Sequence, residues 1–120
     1  MGSGGETVTI QRLSDANRND FARIHSGDHA WCQCVAWWVS SWDGWGERTG
    51  KQNAELREQI FGSGVRDGFL IYQAGKLAGW CQAWKRDDFS SIQTKFGLPR
   101  DSGAWMIGCL LISPEFRGRG

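Results

Sequence analysis

Ala104-Trp-Met-Ile-Gly-Cys-Leu-Leu-Ile112, followed by Ser113-Pro-Glu-Phe-Arg-Gly-Arg-Gly120, is the stretch that decides how the rest of the chain is read. The first part is a nearly continuous apolar run. It is far too short for a membrane helix, which needs roughly 20 residues. Such a run is expected of a central strand buried on both faces. Ser113-Pro114-Glu115-Phe116 then turns the chain. The closing Arg117-Gly118-Arg119-Gly120 combines small residues, which let backbone N–H groups approach an anion, with guanidinium charge suited to phosphate groups.

Working outward, Gly68-Phe-Leu-Ile-Tyr-Gln73 and Leu77-Ala-Gly-Trp-Cys-Gln-Ala-Trp84 read as two strands of a hairpin, joined by the tight turn Ala74-Gly75-Lys76. Lys85 to Gly103 is a polar connection. Upstream, Asn53 is the expected cap of a helix from Ala54 to about Phe61. Its apolar stripe is Leu56, Ile60 and Phe61, and Gly62 or Gly64 ends it. Ser40 to Lys51 reads as a loop. The segment from His29 to Trp38 leans to strand through its aromatic and β-branched residues. Ser14 or Asp15 is expected to cap an earlier helix running to about His25, with Phe21, Ile24 and Ala22 on its apolar side. Thr7 to Leu13 alternates as a half-buried strand. The expected class is α+β, in layers. Residues 1–6 read as a flexible leader or tag remnant, and residues 7–120 as one domain.

Composition bounds the function. The chain has 120 residues, 40% hydrophobic and 22% charged, with a net charge of +1, which is a globular profile. The charge balance gives no electrostatic footprint for nucleic acid, and no run is apolar enough for a membrane. The first residues show no basic region followed by an apolar stretch, so the expected location is cytoplasmic. Cys32, Cys34, Cys81 and Cys109 permit three disulfide pairings, but reduced thiols are the expectation there. His25, His29, Cys32 and Cys34 form a His-x3-His-x2-Cys-x-Cys set that could bind zinc. The spacing is not that of a standard finger, and Gly27-Asp28 breaks a helix between the histidines. Packed cysteines are therefore expected, and no metal. Eight tryptophans imply an aromatic core or an aromatic-walled pocket.

The strand leading into Ser-Pro-Glu-Phe-Arg-Gly-Arg-Gly resembles the acyl-CoA signature of the GNAT superfamily of N-acetyltransferases. There an apolar strand ends in a Pro step, and an Arg/Gln-x-x-Gly-x-Gly/Ala loop opens a helix. Arg117 to Gly120 matches the first four loop positions. A branch of that superfamily is closer still. It carries Cys-x-Cys-x-x-Trp early (here Cys32 to Trp37), a Gly-Trp-Cys step in the hairpin (Gly79-Trp80-Cys81), and a Trp-x-x-x-Cys strand before the loop (Trp105 to Cys109). The resemblance spans Val8 to Gly120.

The resemblance implies a mixed, mainly antiparallel sheet flanked by helices, and acetyl transfer from acetyl-CoA to a small-molecule or peptide amine. It implies cofactor contacts at Leu111, Ile112, Arg117, Gly118, Arg119 and Gly120. It puts Trp31 and Trp37 in the acceptor region, either as pocket walls or as core. Cys109 either faces a ligand or is a buried, inert thiol. No catalytic base is assigned: the Ala104–Ile112 strand carries no carboxylate, and Asp87, Asp88 and Glu47 are expected to be solvated surface groups. The superfamily continues past the loop with a helix and further strands, which the sequence does not include. The expectation is therefore an N-terminal part of such an enzyme, with activity on its own left open. The alternative is a non-catalytic half-domain that pairs with a second copy, or with a complementing C-terminal chain, through an exposed apolar strand.

Overall fold

The computed structural model describes residues 7–27 and 30–118. Four strands build one antiparallel sheet: β1 (Val8–Arg12), β2 (Gly68–Gln73), β3 (Lys76–Lys85) and β4 (Trp105–Ile112), in the order β1-β2-β3-β4. Two helices, α1 (Arg18–Ile24) and α2 (Gly50–Gly62), lie in the long connection between β1 and β2. The class is α+β, as the sequence indicates.

The β2–β3 hairpin closes through Ala74 and Gly75, both at positive φ (51° and 80°). That is the turn geometry whose twist matches the flanking strands. Cross-strand partners share a face. The rows Leu70–Trp80–Leu111 and Gly68–Gln82–Cys109 therefore mark one side of the sheet, which we call the front. Ile10–Ile71–Gly79–Ile112 marks the back. The core lies on the front. Leu70 and Trp80 pack there with Leu13, Phe21, Ile24, Cys34 and Phe61. Each fully buried Leu or Phe in such a cluster contributes about 1.5–3 kcal/mol.

Four local expectations are corrected. First, α1 begins at Arg18, not after Ser14 or Asp15, and Ala22 is exposed. Asn17 displaces those caps by bridging the turn: its Oδ1 accepts from the Ser14 N–H (2.8 Å) and its Nδ2 donates to the Arg12 carbonyl (3.0 Å). Second, α2 is capped by Thr49, through a reciprocal capping box with Gln52. Asn53 is instead buried one turn in. It donates to the Trp31 carbonyl (2.7 Å) and accepts from Arg48 Nε (2.6 Å).

Third, residues 30–38 are consecutive turns, not a strand. Gln33 and Cys34 both sit in the left-handed region (φ 50° and 52°), which no strand accommodates. Fourth, β4 is an edge strand rather than one buried on both faces. Ile107 is 71% exposed and Leu110 65%. A continuous apolar run marks burial only when both faces and both edges are covered, and β4 pairs with β3 alone among the described residues.

Candidate functional site

Two groups of the sequence-selected residues converge, at opposite ends of β4. The first is at its C-terminal end. The Ser113 N–H donates to the Ala78 carbonyl on β3 (2.8 Å). Backbone groups alternate sides along a strand, so the N–H and C=O of Ile112 point to the open edge of the sheet. The chain then turns through a 3₁₀ segment, Pro114–Phe116, and Arg117 Nε returns to donate to the Ile112 carbonyl (2.8 Å). Gly118 follows at φ 78°, a conformation glycine adopts without strain.

Leu111 and Ile112 face opposite sides of the sheet, and Arg117 borders a cleft on each. On the front, Leu111, Ser113, Pro114 and Arg117 line a hollow with Arg23, Ile24 and Ser26. On the back, Ile112, Phe116, Arg117 and Gly118 line a more apolar one with Val8 and Ile71. Four of the six expected cofactor residues are thus within one turn of chain. Arg119 and Gly120 lie outside the described residues. Sequence reasoning did not include Arg23, which adds a second guanidinium to the front cleft; nothing in a helix-surface Arg marks it in advance.

The second group surrounds Cys34. Trp37 Nε1 donates to the Gly108 carbonyl (3.1 Å), which ties the 30–38 turns to β4 beside Cys109. The Gln82 side-chain amide donates to the Cys34 carbonyl (2.9 Å), and Gln82 is the cross-strand partner of Cys109. Trp37 and Cys109 are therefore neighbours. Trp31 is held elsewhere. Its Nε1 donates to the Arg48 carbonyl (2.8 Å), and its ring packs edge-on to Trp45 (5.0 Å).

What fixes this turn was missed in the sequence. Arg57 and Asp67, both buried, form an ion pair (2.7 Å). Arg57 Nε and Nη2 also donate to the carbonyls of Gln33 (3.2 Å) and Cys34 (2.9 Å), the two residues at positive φ. The second Asp67 oxygen accepts from Trp38 Nε1 (2.8 Å) and Gln82 Nε2 (3.0 Å). A buried charge is tolerated when it is paired and hydrogen-bonded in this way. The available signal was Arg57 itself, spaced with Asn53, Ile60 and Phe61 along the buried stripe of α2.

His25 closes the group. Its Nδ1 lies 2.9 Å from the Phe21 carbonyl, and its Nε2 lies 3.2 Å from Cys34 Sγ. A carbonyl only accepts, so Nδ1 is the nitrogen that donates to Phe21. The Cys34 thiol lies within hydrogen-bond reach of His25 Nε2. Hydrogen bonding to Cys109 and Cys32, then burial, pushes the Cys34 thiol up; the same bond from Cys34 pulls the Cys109 thiol down. Burial raises Cys81. Among the described residues no three His, Cys, Asp or Glu side chains are arranged to hold a metal; His29 lies outside them. None of the four cysteines is in a disulfide among the described residues.

These features define an α+β domain whose edge strand carries a thiol and aromatic cluster midway and an Arg/Gly turn at its end. No family model, curated protein or solved structure matches the chain. No helix among the described residues is long and apolar enough to cross a membrane.

Proposed function

We propose that the chain contributes the acyl-CoA-binding edge of an N-acetyltransferase of the GNAT type, with acetyl-CoA as co-substrate and an amine as acceptor. The observation that carries this reading is the C-terminal end of β4. There the open-edge Ile112 N–H, the Arg117 side chain and Gly118 occur together beside two clefts. An unpaired strand N–H can donate to an acyl or pantetheine carbonyl. Arg117 and Arg23 supply charge for phosphate, and Gly118 lets a ligand approach the backbone. Catalysis in such a site is mainly positioning of the amine against the thioester, with proton removal by a base or water. Trp37 and Cys109 stand on the acceptor side of this reading. No side chain is assigned as base.

The test is isothermal titration of acetyl-CoA into the 120-residue chain, with sedimentation in the same buffer. Saturable binding that Arg117→Ala weakens about tenfold supports the reading. No binding by a folded protein overturns it for this chain.

A second reading rests on β4 as a pairing edge. Trp105, Ile107 and Leu110 are exposed along it, a template for strand addition by a second copy. Sedimentation decides this too: a monomer at every concentration removes it.

A further inference from the structure

We infer that Trp37, Trp42 and Phe96 form a binding site for a small organic cation bearing a quaternary ammonium group, and that the Lys95 ammonium holds its place in the free protein. The inference does not depend on the acetyl-transfer reading. A quaternary nitrogen has no lone pair and cannot accept an acetyl group, so the site recognises a ligand and does not present the reacting atom.

Three separate stretches bring the rings together. Trp37 comes from the 30–38 turns, Trp42 from the irregular chain that follows, and Phe96 from a π-helical segment, Ile92–Phe96. Ring centroids are 5.4 Å apart for Trp37 and Trp42, 6.0 Å for Trp37 and Phe96, and 6.2 Å for Trp42 and Phe96. Trp42 stands nearly perpendicular to Phe96, at 84°. Rings this close leave no slot between them, so a ligand lies across their outer faces. The backbone fixes the frame. The Trp37 carbonyl accepts from the Ser91 N–H (3.2 Å) and hydroxyl (3.0 Å), and the Thr94 hydroxyl donates to the Ser40 carbonyl.

Both indole N–H groups are already spent. Trp37 Nε1 donates to the Gly108 carbonyl (3.1 Å) and Trp42 Nε1 to the Ala36 carbonyl (2.8 Å). The cluster is left with its ring faces, whose negative quadrupole attracts cations. The chain supplies one cation itself: Lys95 Nζ lies over the Trp42 ring, 4.9 Å from its centroid. Lys95 is exposed, and no ion pair among the described residues includes it. A surface contact of this kind is weak, so the lysine is easily displaced. Its ammonium is also compact and strongly hydrated. A quaternary ammonium spreads the same charge over alkyl groups, gives up water at lower cost and adds apolar contact with the rings. It therefore outcompetes Lys95. Phe96, 50% exposed, opens the cluster to solvent, while Trp37 and Trp42 are half-buried beside it.

The experiment titrates choline chloride into the native chain at constant ionic strength, followed through the indole N–H resonances. Its uncharged analogue, with carbon in place of nitrogen, is titrated in parallel. Saturable shifts are expected at Trp37 and Trp42 but not at Trp31, which is held against Arg48 and Trp45. The uncharged analogue should bind about tenfold more weakly. Lys95→Met keeps the stem without the charge and should tighten choline binding about threefold, whereas Phe96→Leu should weaken it about threefold. An unshifted Trp31 resonance reports that each variant is folded. Equal binding of the two analogues would reduce the cluster to an apolar patch and overturn the inference. Unchanged or weaker binding in Lys95→Met overturns it too, as do shifts from phosphatidylcholine vesicles with none from free choline. The native-chain titrations need no variant to fold.

Discussion

The two faces of the sheet are made by the same four strands, yet they are finished differently. On the front, Leu70, Trp80 and Gln82 are fully buried, and the Gln82 side-chain amide donates to Asp67, the partner of Arg57. On the back, Ile10 (65% exposed), Leu110 and Ile107 are apolar side chains, at separate register positions, that no described element covers. The contrast shows that the strands alone do not make a core; the connection from Leu13 to Asp67, with α1 and α2, does, and it serves one face only. The back is the kind of surface associated with interaction sites.

The largest test of this contrast is Arg57→Ala. Removing one member of the buried pair strands Asp67 and frees the carbonyls of Gln33 and Cys34. We predict a loss of about 3–5 kcal/mol in chemical denaturation, with the near-ultraviolet signal of the tryptophan turns lost as well. A loss below about 1 kcal/mol would show that the front face is not organised by this pair.

The next test makes the same change on both faces. A Cβ at Gly68 lies 2.4 Å from the Cys81 carbonyl oxygen and 2.5 Å from the Trp80 ring, whereas at Gly79 the nearest atoms, Leu111 O and the end of Ile112, are at 2.9 Å. Gly68→Ala is expected to cost about 3 kcal/mol and Gly79→Ala about 2 kcal/mol, because at Gly79 the Ile112 tip can move but the Leu111 carbonyl must shift as well. Equal costs in thermal denaturation would mean that the back is as tightly packed as the front.

A smaller effect is expected at high pH. The Tyr72 hydroxyl donates to Asp20 (2.6 Å), and burial followed by that bond pushes its pKa up to about 12 from 10.0. The neutral form is favoured in the folded state. Its contribution is therefore complete below pH 10 and disappears as pH rises through about 12. Tyr72→Phe should flatten the stability profile across that window and leave it unchanged near neutrality apart from a constant offset. The smallest effect is at Ile107→Thr. It should alter monomer stability by less than about 0.5 kcal/mol, yet weaken self-association at least tenfold if β4 pairs with a second copy. A sedimentation profile identical to the native chain removes that pairing.

The sequence made the sheet readable and the long connection unreadable. The hairpin was legible because Gly75 sits between two runs of β-forming residues, and the existence of β1 because Val8 and Ile10 alternate with polar residues. The expected half-burial of β1 is corrected: every β1 residue is exposed, Val8 and Ile10 on a back face that no described element covers. Residues 30–38 were not legible. Their conformation is set by Arg57, Asp67 and Gln82, which are distant in sequence, so local β propensity was overridden. For β4 the apolar run suggested burial on both faces, because such a run records what a strand can bury, not what lies against it; its exposure followed only from the resemblance, whose next strand the sequence does not include. At the end of β4, Arg117 and Gly118 were legible from composition alone, while the bond from Arg117 to the Ile112 carbonyl was not.

The turn at Ala74 and Gly75 also sets an order of events in time. The β2–β3 hairpin closes across two residues, which takes microseconds, whereas β1 joins β2 only after a connection of 55 residues, from Leu13 to Asp67, has been gathered in. Loop closure opposes that second step, and α1, α2 and the buried pair must be in place before it is rewarded. Mutational φ-values should therefore be high at the hairpin and near zero in β1. The first strand of the sequence is, on this account, the last to be folded.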